Sequence, residues 1–171
     1  MWRILACAGL MWAMLALSAQ AQTSVKIVAL GASNTEGWGV STSQAYPARL
    51  EALLNARGID ATVINAGIAG DTTGGMLARL DSAVPTGAQV VVLQPGTNDE
   101  RMGLAVERSQ NIEKIRNRLA SRNAKLIVIE NEMLDALPRS ELRSDGLHFT
   151  PAGYAILAER ILPQVLAALE R

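Results

Sequence analysis

The chain has 171 residues, 49% apolar and 19% charged, with one cysteine and one histidine. That length suits a single core, and so apolar a chain with so few charges is neither a disordered tail nor a solvating segment. Sixteen Lys and Arg balance sixteen Asp and Glu, so the chain lacks the net positive charge that attracts nucleic-acid backbones or anionic membranes, and no nucleic-acid partner is expected.

At the N-terminus, Met1-Trp2-Arg3 precede an uncharged stretch from Ile4 to Leu17, followed by Ser18-Ala19-Gln20-Ala21. The apolar run has the length of a secretory h-region and falls short of the roughly 20 residues that span a bilayer. Ala19-Gln20-Ala21 supplies the small residues a signal peptidase needs. Residues 1–21 therefore read as a signal peptide cut after Ala21, and residues 22–171 as a periplasmic or secreted domain with no stable membrane span after cleavage. Cleavage removes Cys7, the only cysteine, so the exported domain is expected to rest on its core without disulfides.

Four short runs rich in Val, Ile and Leu follow: Val25 to Leu30, Ala61 to Asn65, Val90 to Gln94 and Lys125 to Glu130. Near-continuous apolar residues, without strict alternation, predict strands covered on both faces, as in a parallel sheet. Helical stretches are expected between them at Ala45 to Arg57, Thr72 to Ala83 and Leu104 to Ser121. A last helix starts at Thr150-Pro151 and runs to about Leu169, with a kink or restart expected at Pro163. The pattern is βαβαβα.

Ligands of open parallel sheets bind beyond the carboxyl ends of the strands, and the residues there are distinctive. Strand one is followed by Gly31-Ala32-Ser33-Asn34-Thr35-Glu36-Gly37, strand two by Ala66-Gly67-Ile68-Ala69-Gly70-Asp71-Thr72, and strand three by Gly96-Thr97-Asn98-Asp99. Asp145-Gly146-Leu147-His148, with the sole histidine, stands just before the last helix.

In order and placement these blocks resemble the SGNH hydrolases, also called the GDSL esterase and lipase superfamily, and in particular a small lysophospholipase- or arylesterase-like member. The resemblance implies an α/β three-layer sandwich, a flavodoxin-like parallel sheet of four or five strands with helices on both faces. It implies Ser33 as nucleophile, Asp145 and His148 as its partners, and an oxyanion hole of Ser33, Gly67 and Asn98. The family's Gly-Asp-Ser is Gly31-Ala32-Ser33 here, so the carboxylate beside the nucleophile is missing. Only about 14 residues separate strand four from Asp145, where many relatives fit a further helix and a fifth strand. The chain reads as a trimmed version of that fold with an open site.

The chemistry is coherent on its own terms. A serine hydroxyl is a weak nucleophile until a neighbouring base takes its proton, and the base needs a third group to fix its tautomer and stabilise its cation. Ser33, His148 and Asp145 can fill those roles. The Ser33 and Gly67 backbone N–H groups and the Asn98 amide are a candidate set of oxyanion donors, and Gly96 allows the turn that presents Asn98. The expected reaction is hydrolysis of a small acyl ester, or thioester, through an acyl-Ser33 intermediate, with no cofactor and no metal. Glu130 and Glu132 near Asp71 are the carboxylates that could suggest a metal, but one histidine and no mature cysteine argue against it. Trp38 and Met102 are candidates either for lining an acyl pocket or for packing their loops, and Met76 for the core. The arginines of residues 101–122 are offset by Glu100, Glu107 and Glu113, as on a solvated helix face.

Other classes remain open from the sequence. An acyltransferase passes the acyl group to another alcohol, and a non-catalytic relative binds acylated sugar or lipid. A flavodoxin-like module would use Ser33 to Gly37 as a phosphate loop at a helix N-terminus.

Overall fold

The computed structural model describes residues 24–170; the expected signal peptide and its cleavage after Ala21 lie outside the described residues. Four strands, β1 (Val25–Gly31), β2 (Ala61–Gly67), β3 (Val90–Gln94) and β4 (Lys125–Val128), form one all-parallel sheet in the order β2-β1-β3-β4. The register aligns Val28 with both Ile64 and Val91, and Val92 with Ile127. Every residue of β3 is buried, which explains its unbroken Val-Val-Val-Leu run.

The helices are α1 (Ser33–Glu36), α2 (Tyr46–Asn55), α3 (Thr73–Ala78), α4 (Leu80–Ala83), α5 (Asn98–Arg101), α6 (Ala105–Ala120), α7 (Asn131–Asp135) and α8 (Pro151–Leu169). Period-two alternation divides the strand side chains between two cores. Ile27, Val63, Val90, Val92 and Ile127 pack on the face covered by α2 and α8, with Leu50, Leu54, Tyr154, Leu157 and Ile161. Val28, Leu30, Val91 and Leu93 pack on the other face, with Met76 and Leu80 of α3 and α4 and Ile112, Ile115 and Leu119 of α6. Met76 is thus a core residue. Three layers result, with helices on both faces of the sheet.

Several elements differ from expectation. Residues 151–169 form one helix without a restart at Pro163. The apolar residues Tyr154, Leu157, Ala158, Ile161, Leu162 and Val165 lie at helical spacing and hold both halves against the sheet, while Pro163 and Glu159, whose carbonyl the proline leaves unbonded, are exposed. The expected helix over 72–83 divides at Arg79, which leaves helical geometry with φ −96° and ψ 9°. β4 ends at Val128; Ile129 still donates to the Leu93 carbonyl at 2.8 Å before the chain turns into α7. The stretch to Asp145 holds α7 and a 3₁₀ turn at Arg139–Glu141, so among the described residues the sheet stops at four strands. Within α6, Arg116 pairs with Glu113, while Arg108 reaches Glu100 of α5 and Arg118, with Arg122 just beyond the helix, reaches Asp81 of α4; the charges of this region are paired with neighbouring carboxylates.

Candidate active site

From β1 the chain leads to β2 at one side, and from β2 it crosses to β3 on the other side of β1. The connections therefore diverge between β1 and β3, and the crevice at their carboxyl ends is where such a sheet receives a ligand. Ser33 stands two residues beyond β1 and Asn98 four residues beyond β3.

Ser33 begins α1, and the backbone N–H groups of Ser33 and Asn34 have no protein acceptor among the described residues. Its Oγ lies 2.9 Å from His148 Nε2. The other imidazole nitrogen, Nδ1, lies 2.8 Å from Asp145 Oδ2. Asp145 Oδ1 accepts from the backbone N–H groups of Leu147 at 2.9 Å and His148 at 3.0 Å. The His148 backbone N–H, then its ring, then the Leu147 N–H hold the Asp145 carboxyl well below the usual carboxylate range. An ionised Asp145 can only accept, so Nδ1 carries the proton and Nε2 is left to accept from the Ser33 hydroxyl.

The oxyanion side departs from expectation at Gly67. Its N–H donates to Asn65 Oδ1 at 2.9 Å, so it is committed to a side chain at the end of its own strand. Its lack of a side chain serves a close approach to α1 instead of to a ligand, since a Cβ there would lie 2.1 Å from the Glu36 backbone nitrogen. Three residues on, Gly70 has φ +78°, and its N–H has no acceptor among the described residues. Asn98 donates one N–H of its amide to the Asp71 carbonyl at 2.8 Å, which leaves the other N–H unspent. Gly96, at φ +69°, supplies the left-handed turn that leads into α5. The neighbouring Asp99 is 1% exposed and accepts from Thr73 Oγ1 at 2.6 Å and Thr73 N at 3.0 Å, tying α5 to the start of α3.

Two further residues join the sides of the site. Asn34 Nδ2 donates to the Leu147 carbonyl at 3.2 Å, and the Tyr154 hydroxyl donates to Asn34 Oδ1 at 3.1 Å. Burial pushes the Tyr154 hydroxyl up to about 12, so it keeps its proton and remains a donor. Sequence reasoning passed over this link because its partners are more than 100 residues apart. Beside Ser33 opens a cleft of about 390 Å³, whose lining includes Asn98 and the apolar residues Leu134, Leu137, Leu142, Leu147 and Phe149. Neither Trp38 nor Met102 lines it. Trp38 is 52% exposed, with its ring 5.8 Å from the His148 imidazole and tilted by 31°, and Met102 is 61% exposed. Glu130, Glu132 and Asp71 form no shared site: no group of three or more His, Cys, Asp or Glu placed to hold a metal ion exists among the described residues.

Residues 29–140 match the family model described as the GDSL-like lipase/acylhydrolase family, over half of the chain. The chain belongs to that family. The match stops before Asp145 and His148, whose place in the site rests on the geometry above. The arylesterase of Vibrio mimicus is 40% identical over 91 residues, covering 51% of this chain and 44% of that protein. Esterase TesA of Pseudomonas aeruginosa is 32% identical over 117 residues, covering 67% of this chain and 58% of that protein. The chain thus spans about half the length of these curated relatives. A crystal structure of TesA superposes with a TM-score of 0.76 at 25% identity, covering 84% of this chain and 99% of that one. A SGNH-hydrolase family esterase superposes with a TM-score of 0.61 at 28% identity, covering 85% and 97%. The α/β architecture is that of these SGNH hydrolases.

Proposed function

We propose that this family member is an exported serine esterase that hydrolyses small acyl esters, with Ser33 as nucleophile. The reading is carried by the unbroken sequence of contacts from Ser33 Oγ through His148 to Asp145. His148 Nε2 takes the hydroxyl proton as Oγ attacks the ester carbonyl, and the ionised Asp145 stabilises the imidazolium that forms. The Ser33 N–H and the unspent Asn98 N–H receive the charge on the carbonyl oxygen, with the Gly70 N–H in place of Gly67 as the third donor. His148 returns the proton to the departing alcohol, leaving acyl-Ser33. Water then attacks the acyl carbon with His148 again as base, and the free acid leaves. The leucines that line the cleft take the acyl group.

Export to the periplasm or medium is proposed from the Ile4–Leu17 run and Ala19-Gln20-Ala21. A serine already engaged with an imidazole favours this reading over a phosphate loop, which has no use for that contact. The test is an ester panel from acetyl to palmitoyl, each with an aryl and a sugar alcohol and a thioester counterpart. Release of free acid, fastest for the shorter acyl groups, is expected. New alcohol esters among the products would make the chain an acyltransferase, and no turnover of any ester would overturn the reading.

A further inference from the structure

The Asp71–Arg79 ion pair takes no part in these steps, yet it stands where three loops of the site meet. Arg79 Nε lies 2.8 Å from Asp71 Oδ2, and the two side chains are only 20% and 12% exposed. Arg79 Nη2 also donates to the Gly31 carbonyl at 3.2 Å, at the end of β1 and two residues before the nucleophile. The other carboxylate oxygen, Asp71 Oδ1, accepts from Thr72 N at 2.9 Å. The backbone carbonyl of Asp71 is the acceptor that holds the Asn98 amide. A single guanidinium therefore connects the nucleophile strand to the residue that orients Asn98.

The direction of the Asn98 amide depends on this link. One of its N–H groups is spent on the Asp71 carbonyl, so the position of that carbonyl fixes the plane of the amide and the aim of the second N–H. The Asp71 side chain is held by charge-assisted bonds, which are shorter and stronger than neutral ones. Its room is provided by Gly75, where a Cβ would lie 2.0 Å from Asp71 Oδ1. Ala32, beside the nucleophile, is 2% exposed and has no polar group to offer. Glu36 Oε2 accepts from Ala69 N at 3.1 Å and the Gly31 carbonyl also accepts from Ile68 N at 3.0 Å, but Arg79 is the cation that joins this turn to the Asp71 carboxylate itself.

We propose that Asp71 and Arg79 are positioning residues that fix the Asn98 amide relative to Ser33 and thereby set the oxyanion site. The proposal rests on the acyl-transfer reading above and extends it to residues that touch no substrate. Lysine keeps the charge of Arg79 but lacks the planar fork that reaches Asp71 and Gly31 together.

The experiment measures kcat, KM and Tm for Arg79→Lys and Gly75→Ala, each in the otherwise wild-type chain and in Asn98→Ala. Arg79→Lys is expected to lower kcat by about tenfold to a hundredfold with KM within about twofold, the scale of a small misplacement of a reacting geometry. In Asn98→Ala the same change is expected to cost less than about threefold, because the group it positions is gone. Gly75→Ala removes no hydrogen-bonding group and replaces a poor helix former with a good one. The new Cβ must displace the Asp71 carboxylate, so a purely structural role predicts at most a lower Tm with unchanged kcat, whereas a positioning role predicts the same kcat loss and the same dependence on Asn98. Equal losses in both backgrounds, or a Gly75→Ala enzyme with wild-type kcat, would overturn the proposal. If Arg79→Lys fails to fold, Gly75→Ala decides alone. A wild-type chain inert toward every ester would overturn the acyl-transfer reading itself, an outcome no variant comparison can mimic.

Discussion

Ser33 and Asp145 face each other across His148 but are held by different means. Ser33 opens a turn whose next two residues, Asn34 and Thr35, are 7% and 0% exposed, so its place is fixed by the sheet and the packed core beneath it. The Asp145 side chain is 42% exposed and sits in a loop where Leu147 is 37% exposed. That loop is fixed by hydrogen bonds: the three that Asp145 accepts, Arg143 N to the His148 carbonyl at 2.8 Å, and Asn34 to the Leu147 carbonyl. Packing resists displacement in every direction, whereas a few hydrogen bonds fix only the directions along which they act. Substitutions in the packed core beneath Ser33 should therefore act mainly on stability, and those in the Asp145 loop mainly on rate.

Three changes break or sharpen that contrast. The largest effect is expected for Asp145→Asn, which removes the charge facing the imidazole and should lower kcat by about 10⁴. Because Asp145 is held well below the usual carboxylate range, it stays ionised where an ordinary aspartate titrates, at about 3.9. The acid limb of wild-type kcat/KM should then have the slope of one proton, with no added carboxylate step at mildly acid pH. The sign for stability follows from the same shift. The contribution of Asp145 is present above the ordinary aspartate value and lost as pH falls through the lowered one, so the Tm deficit of Asp145→Asn should shrink in strong acid. A two-proton acid limb, or a constant deficit, would contradict this assignment.

A smaller effect is expected for Tyr154→Phe, which keeps the ring in its edge contact with Phe149 and removes only the hydroxyl that orients Asn34. A loss of about tenfold in kcat with little change in KM is expected, on the scale of one lost buried hydrogen bond. An unchanged kcat would show that the Asn34 link does not govern the His148 loop. The smallest effect on rate is expected for Leu93→Ala, in the fully buried β3. It should cost about 2–5 kcal/mol of stability while leaving kcat per folded molecule within about twofold, and urea unfolding with parallel assays separates the two quantities.

The parts of the structure that depend on local pattern were legible in the sequence. The Val90 to Gln94 run reads as a strand covered on both faces, and Thr150-Pro151 as the start of a helix; the structure has both. The solitary histidine and its placement before α8 drew attention to His148, and the structure brings it to Ser33 and Asp145. Gly67 went astray because one glycine ends β2 and another, Gly70, stands in the loop after it, and sequence cannot tell which N–H an Asn65 side chain will occupy. The uninterrupted α8 escaped as well, since the cost of Pro163 is local while the apolar face that outweighs it spans the whole helix. Arg79, Asn34 and Tyr154 gave no signal at all, because their partners in the site are set by the meeting of separate loops.

The central claim, an activated Ser33, is tested most directly by a fluorophosphonate, which phosphonylates a serine only when a base takes up its proton. Mass spectrometry of the intact and digested protein should find one adduct per chain, located on Ser33. The adduct should be absent in Ser33→Ala and slowed by orders of magnitude in His148→Ala. An adduct on another residue, or labelling of Ser33 at the same rate without His148, would contradict the account.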